Sequence, residues 1–463
     1  MSARTHARRV AVIGAGWAGL AAAVHACQLG AQVTLFEAAK VAGGRARTVH
    51  LLRADGSSVA LDNGQHILIG AYQACLALME TVGVRPQHVL QRMPLDLRDA
   101  HGHGLRVPPW PRRPQLAGLY GIARACGWTW PTRLALLRLL ASWQRSGFAC
   151  PPGTTVAALC RHAPVQLMQQ FVEPLCVAAL NTPVQEACGQ VFLRVLRDTL
   201  AGGPGSADLL LPTKPLGALL AEPALVWLAR HGARIRLGER VTAVTRSRSA
   251  PVRATEHSRP GWQVMDEPFD AVIIATPVWE TRRLLHGLAE TAEGMGDCHA
   301  LERWCEQAGT LFHEAIGTVY LEREAGRAAT QPLLERPMLA QPGAVAQFAF
   351  DRQQLTGDEG ITAWVASALK TDKNALQQAV LAQAQAISAD ASNWRVLATI
   401  VEKRATFVCH AQLHRPPSQP LTRWPSLAVA GDYVAGPYPA TLEAAVRSGA
   451  AAAGRVLVHT MRV

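Results

Sequence analysis

Apolar residues along the first forty positions come in short runs cut by glycines. Residues 10–13 are an unbroken apolar run, the pattern of a strand covered on both faces. Residues 20–29 are a longer apolar stretch that Gly30 stops, and 32–36 form a second strand. A Gly-Gly turn at 43–44 leads to further strands around 48–52 and 58–61. From 73 to 200 the spacing is mostly helical, with proline-rich breaks at 108–114 and 151–152. A helix over 216–231 is followed by strands over 234–237 and 241–244, and a buried strand over 269–276 ends at Pro277. Strands and one Ala/Gln-rich helix over 373–389 fill 310–400. A last strand at 427–430 then precedes a closing helix over 440–459.

The strand–helix–strand rhythm thus occurs at the start, middle and end of the chain, with other material inserted between. This predicts an α/β protein. A Rossmann-like dinucleotide domain would be built from 1–72, 204–280 and 401–463. It would interleave with a mixed α+β substrate domain, with a helical cap, from 73–203 and 281–400.

Composition narrows the picture. The 463 residues are 49% hydrophobic, enough for two or three domains, and the 17% charged content argues against extended disorder. The net charge is +12, but five Lys leave 41 Arg (46 − 5) scattered along the chain. That spread does not suit a nucleic-acid-tracking stripe; attraction to an anionic membrane surface fits better. None of the ten Cys forms C-x-x-C or a zinc-spaced cluster with His. Reduced thiols in a cytoplasmic protein, without a metal site, are therefore expected. The apolar run behind Arg8 and Arg9 imitates a signal peptide, yet Gly14, Gly16 and Gly19 punctuate it in a fixed pattern that a leader does not need.

Those glycines form G-x-G-x-x-G between a strand and a helix. Gly14 permits the turn, Gly16 lets backbone approach a pyrophosphate, and Gly19 lets helix and sheet close up. Trp17 and Ala18 lie between them at the positive helix end, and Glu37, followed by Ala38, closes the next strand where a carboxylate can hold ribose hydroxyls. Gly44 and Arg45 mark a second approach to the dinucleotide, with Arg45 placed to offset phosphate charge. The loop Asp62-Asn63-Gly64-Gln65-His66 can lay Gly64, Gln65 and His66 against a flat ring, and Asp62 and His66 can handle protons. Gly431 and Asp432 form a turn whose carboxylate can hold a polyol, and the helix beginning near Thr441, Leu442 and Ala445 can support the electron-rich edge of a reduced ring. Val241 joins these cofactor-binding candidates.

Through Gly14, Gly16, Gly19, Glu37, the Gly-Gly-Arg at 43–45, Ala275-Thr276-Pro277 and the Gly431-Asp432 turn, the chain resembles the flavin-containing amine oxidoreductase and phytoene desaturase superfamily. Within it, the stretches 62–72, 180–183, 402–407 and 440–449 are most similar to the hydroxysqualene dehydroxylases. The resemblance implies FAD as cofactor and the amine oxidase type of FAD domain. It also implies reductive removal of the hydroxyl of hydroxysqualene, giving squalene for hopanoid synthesis. A carotenoid-type desaturase, an amine oxidase and a non-enzymatic prenyl-lipid chaperone are the competing readings. No second G-x-G-x-x-G marks a nicotinamide site, so the sequence leaves the external electron donor unnamed.

Hydroxide leaves poorly, so this reaction needs an acid, exclusion of water from the resulting cation, and a reduced flavin to deliver hydride. Asp62, His66 and Glu173 are the candidate catalytic residues, and Tyr433 and Tyr438 could flank the ring. A long apolar isoprenoid needs an apolar tunnel and a route from the bilayer. Residues 128–145 place Leu136, Leu140 and Trp143 on one helical face among arginines. They read equally as a helix packed on the core or as a peripheral contact with the inner membrane.

Overall fold

The central strand Arg9–Ile13 is covered on both faces, as its apolar run predicts. It pairs in parallel with Gln32–Glu37 on one side and Ala271–Ile274 on the other. Leu427–Val429 and Arg234–Leu237 add the two edges, giving a five-stranded parallel sheet drawn from the start, middle and end of the chain. The computed structural model describes residues 7–53, 56–108, 110, 113–246, 261–291, 295–323, 332–387 and 394–458.

Alternation along the strands sorts their side chains into two cores. Val10, Val12, Val33, Leu35 and Ile273 face helices Trp17–Gln28 and Leu442–Val458. These helices cross so closely that a Cβ on Gly449 would stand 2.1 Å from the Ala18 carbonyl oxygen. Ala11, Ile13, Phe36, Val272 and Ile274 face the other way. They meet the small sheet of Val244–Arg246, Trp262–Val264 and Glu267–Phe269 and the helices Val278–Glu290 and Met295–Gly309.

A second, antiparallel sheet runs in the order Met338–Ala340, Phe348–Asp351, Ile361–Ala366, His313–Arg323, Trp394–Phe407. Val319 and Leu321 pack against helix Lys373–Ile387, whereas Ile316 and Tyr320 point into a core shared with helices Trp130–Arg145 and Gly189–Ala201. Strand Trp394–Phe407 runs through the boundary expected at 401 and so joins the two layers.

Several expectations need correction. The first helix begins at Trp17, directly after Gly16, rather than at Leu20. Residues 241–243 are not strand: the strand is Val244–Arg246, and Arg283 holds the Val241 and Thr242 carbonyls at 2.9 and 2.7 Å. The helix expected over 216–231 is a π-helical turn, Gly217–Ala221, followed by Glu222–Arg230. Pro223 lacks the N–H that would extend the regular ladder, and the same Glu-Pro step at 173–174 follows a second π-helical turn, Met168–Val172. Between 73 and 203 the chain also supplies strand Leu90–Met93, which pairs with Leu209–Pro212. The last residues of the helices expected to end at 389 and 459, and part of the proline break at 108–114, lie outside the described residues.

Candidate active site

One cavity of about 680 Å³ lies between the two layers. Its polar end is built by the glycine turn. Gly14 has φ +104°, and a Cβ there would meet the Ala275 carbonyl oxygen at 2.6 Å, so side chain and backbone both forbid anything larger. Gly16 differs: its Cβ would meet nothing nearer than Gly44 Cα at 4.0 Å. Backbone alone thus floors the groove between Gly16 and Gly44, fixed by the bond from Gly43 N–H to the Ala15 carbonyl at 2.8 Å. Helix Trp17–Gln28 opens onto this groove with no side-chain cap, which leaves its first N–H groups to an anionic ligand.

Glu37 borders the same groove. One carboxylate oxygen accepts from Ala15 N–H at 2.7 Å and the other from Ala39 N–H at 2.8 Å, which pins the carboxylate at the strand end. At the far end Arg45 donates to Asp432 at 2.5 Å and to the Ala405 carbonyl at 2.5 Å. Its charge is met here by a protein carboxylate, while the side chain stays in the cavity lining. His66 Nδ1 is 2.7 Å from the Gly64 carbonyl, so Nδ1 carries the proton and Nε2 presents a lone pair. Burial pushes the imidazole pKa below 6.5 despite that bond, and Arg45 pushes the same way. His66 is thus neutral at neutral pH.

Sixteen of the seventeen residues expected only as cofactor contacts line this cavity: Gly14, Gly16, Trp17, Ala18, Glu37, Ala38, Gly44, Arg45, Gly64, Gln65, Val241, Gly431, Asp432, Thr441, Leu442 and Ala445. His66, expected in both roles, lines it too. Gly19 does not; a Cβ there would lie 1.8 Å from the Gly14 carbonyl, so it serves helix–sheet packing beneath the groove. Two buried polar atoms of lining residues, Trp17 Nε1 and Gln65 Oε1, have no protein partner, which suits a ligand with polar edges.

Two of the three expected proton donors lie elsewhere. Asp62 is buried outside the lining, where it accepts from Leu216 N–H at 2.8 Å and pairs with buried Arg352 at 3.5 Å. Desolvation raises its pKa, opposed by the Leu216 bond and Arg352. Glu173 opens helix Glu173–Leu180 and also lies outside the lining. Tyr433 lines the cavity and bonds Thr281 at 2.8 Å, whereas Tyr438 is bonded to Asp198 outside it.

The other end of the cavity is apolar. Ile67, Leu180, Ile316, Phe348, Phe350 and Val365 wall it. Glu402 enters this wall opposite Ile316, its partner across the strand pair, and accepts from Asn63 Nδ2 at 3.2 Å. Asn181, the left-handed end of helix Glu173–Leu180, donates to Thr406 Oγ1 at 2.8 Å and accepts from Ala368 N–H at 2.6 Å. No role was expected for Glu402 or Asn181. Their only signal was membership of the stretches 402–407 and 180–183, and only the fold shows that these two stretches meet.

Residues 17–457 match the model of the flavin-containing amine oxidoreductases. The chain is 26% identical over 473 residues to a hydroxysqualene dehydroxylase of Zymomonas mobilis, covering 97% of this chain and 99% of that one. It is 27% identical to a hydroxysqualene dehydroxylase of Rhodopseudomonas palustris, covering 97% and 98% of the two chains. Among solved structures, an oxidoreductase from Methanosarcina mazei superposes with a TM-score of 0.67 at 17% identity, covering 98% of this chain and all of that one, a likeness of fold.

Proposed function

The chain belongs to the flavin-containing amine oxidoreductase family, as an FAD-dependent oxidoreductase, and from that premise we propose that it removes the hydroxyl group of hydroxysqualene to give squalene. The observation that carries the reading is a single cavity with two characters: a backbone-floored dinucleotide groove at one end and hydrocarbon walls at the other. The names of its full-length relatives support the same substrate class.

The groove of Gly14, Gly16 and Gly44, the carboxylate of Glu37 and the turn at Asp432 would hold FAD. When bound and reduced, that cofactor supplies a hydride. The chain does the rest. Ile67, Ile316, Phe348, Phe350 and Val365 bind the isoprenoid and exclude the water that would capture a cation. Glu402 lines the cavity beside Ile316 and is the acid assigned to the departing hydroxyl. Asn63 and the Arg404 N–H, 3.2 and 3.4 Å from its oxygens, orient it. Neutral His66 offers Nε2 as an acceptor and leaves the acid role to Glu402. An external donor restores the electrons.

Turnover in D2O tests the reading. Hydride on the flavin ring nitrogen exchanges with solvent, so reduced enzyme converts hydroxysqualene to squalene carrying one deuterium. Squalene without deuterium, or desaturation of an isoprenoid by oxidised enzyme, would overturn it; the latter result would place the chain with the carotenoid-type desaturases.

A further inference from the structure

From Ala100 to Val172 the chain contains eight Arg, at 106, 112, 113, 124, 133, 138, 145 and 161, and no Lys, Asp or Glu. These 73 residues therefore hold +8 of the net +12. They include two helices packed on one another, Pro114–Ala123 and Trp130–Arg145, tied by the bond from Arg133 to the Ala125 carbonyl at 2.9 Å. The second helix turns Leu136 and Trp143 into the core. Leu137, Leu139 and Leu140 pack against the same core, but the first turn does not follow: Trp130 is 68% exposed and Leu134 44%. On the first helix Leu116, Leu119 and Tyr120, spaced for one face, are also exposed. Arg133 lies over the Trp130 ring at 4.9 Å and Arg124 over Tyr120 at 5.3 Å.

We propose that this helix pair docks on an anionic phospholipid surface. Large apolar side chains in water, capped by aromatic rings with guanidinium groups across them, match the layering of a bilayer interface. The absence of any acidic residue over 73 positions matches lipid phosphate rather than a mixed-charge protein face. No helix among the described residues is long and apolar enough to cross a membrane, so the contact is peripheral. Its purpose, loading an isoprenoid from the bilayer, rests on the function proposed above.

Flotation of the FAD-loaded protein with vesicles tests the surface. With equal parts phosphatidylcholine and phosphatidylglycerol at low salt, the protein floats; with phosphatidylcholine alone, or at high salt, binding falls. Arg124→Gln with Arg133→Gln weakens partitioning roughly fivefold for each cation. Leu119→Ser with Trp130→Ser abolishes it. Both double variants keep their FAD and their turnover of detergent-dispersed substrate but lose turnover of vesicle-embedded substrate. The proposal fails if wild-type protein stays in solution with anionic vesicles, or if the variants bind unchanged. It fails too if the serine variant instead splits a dimer, since a second copy would then cover these helices. Vesicle binding with no turnover would contradict the dehydroxylase reading and leave the surface standing; turnover in detergent without vesicle binding would do the reverse.

Discussion

Arg45 and Asp432, 387 positions apart in the chain, meet at 2.5 Å across the floor of the cavity. The same guanidinium holds the Ala405 carbonyl, so one side chain clasps the glycine turn, the end of the long strand and the closing turn. Arg45 is about one-third exposed to the cavity, which screens the pair. A double-mutant cycle with Arg45→Ala and Asp432→Ala in denaturant should give a coupling of about 1 kcal/mol, not the 3–5 kcal/mol cost of breaking a dry pair. Strict additivity would show that the clasp holds nothing.

Gly16 and Gly19 should respond oppositely to one methyl group. Gly16 has φ −72° and open space beyond its Cα. Gly16→Ala should leave apoprotein stability unchanged or raised by about 0.5 kcal/mol, yet cut FAD affinity at least tenfold, in order of magnitude. Gly19→Ala should lower the Tm of the apoprotein itself, because its Cβ would strike Gly14. Thermal melts with flavin titrations separate the two.

Asp62 lies in a buried pair outside the cavity lining. Its carboxylate meets Arg352, its backbone carbonyl accepts from Tyr320 at 2.8 Å, and Arg352 reaches back to Asp358 and Ala60. Arg352→Met strands a buried carboxylate and should cost about 3–5 kcal/mol in denaturant unfolding. Asp62→Asn should weaken the fold yet keep turnover per FAD-loaded molecule. Loss of turnover with full stability and full FAD would return Asp62 to the chemistry.

Glu402→Gln keeps the size of the side chain and removes its acid. Dehydroxylation should fall by about 10²–10⁴-fold with FAD content unchanged. Wild-type rates in that variant would remove Glu402 from the mechanism.

His66 makes stability sensitive to acid. Its folded pKa lies below the ordinary 6.5, so the unfolded chain takes up a proton first as pH falls through 6.5. Stability contributed by neutral His66 is present above that pH and is lost below it, toward the folded pKa. His66→Asn should flatten the fall in Tm between pH 7 and pH 5, roughly the range this group governs. An unchanged profile would assign the acid sensitivity elsewhere.

The dinucleotide half of the molecule was legible because its roles are local. A glycine at a fixed offset after a buried strand reports its own backbone need, and Gly14, Gly16 and Glu37 lie where that logic puts them. The apolar half was not legible, since it depends on pairings between distant segments. Asp62 read as an acid beside the ring because nothing local reveals Arg352, 290 positions away. Glu402 was passed over because its position opposite Ile316 follows from strand register, which a bulge between Glu314 and Ile316 resets. The helix at 130–145 reads two ways from its periodicity; the fold shows a buried stripe at Leu136 and Trp143 and an exposed first turn at Trp130 and Leu134, and membrane contact stays a proposal.

A single anaerobic turnover tests the proposed chemistry most directly. Photoreduced protein mixed with hydroxysqualene should regain the absorbance of oxidised flavin at the rate squalene appears, one squalene per flavin. Flavin that stays reduced while no squalene forms, or oxidised flavin bleached by the same substrate, would contradict it.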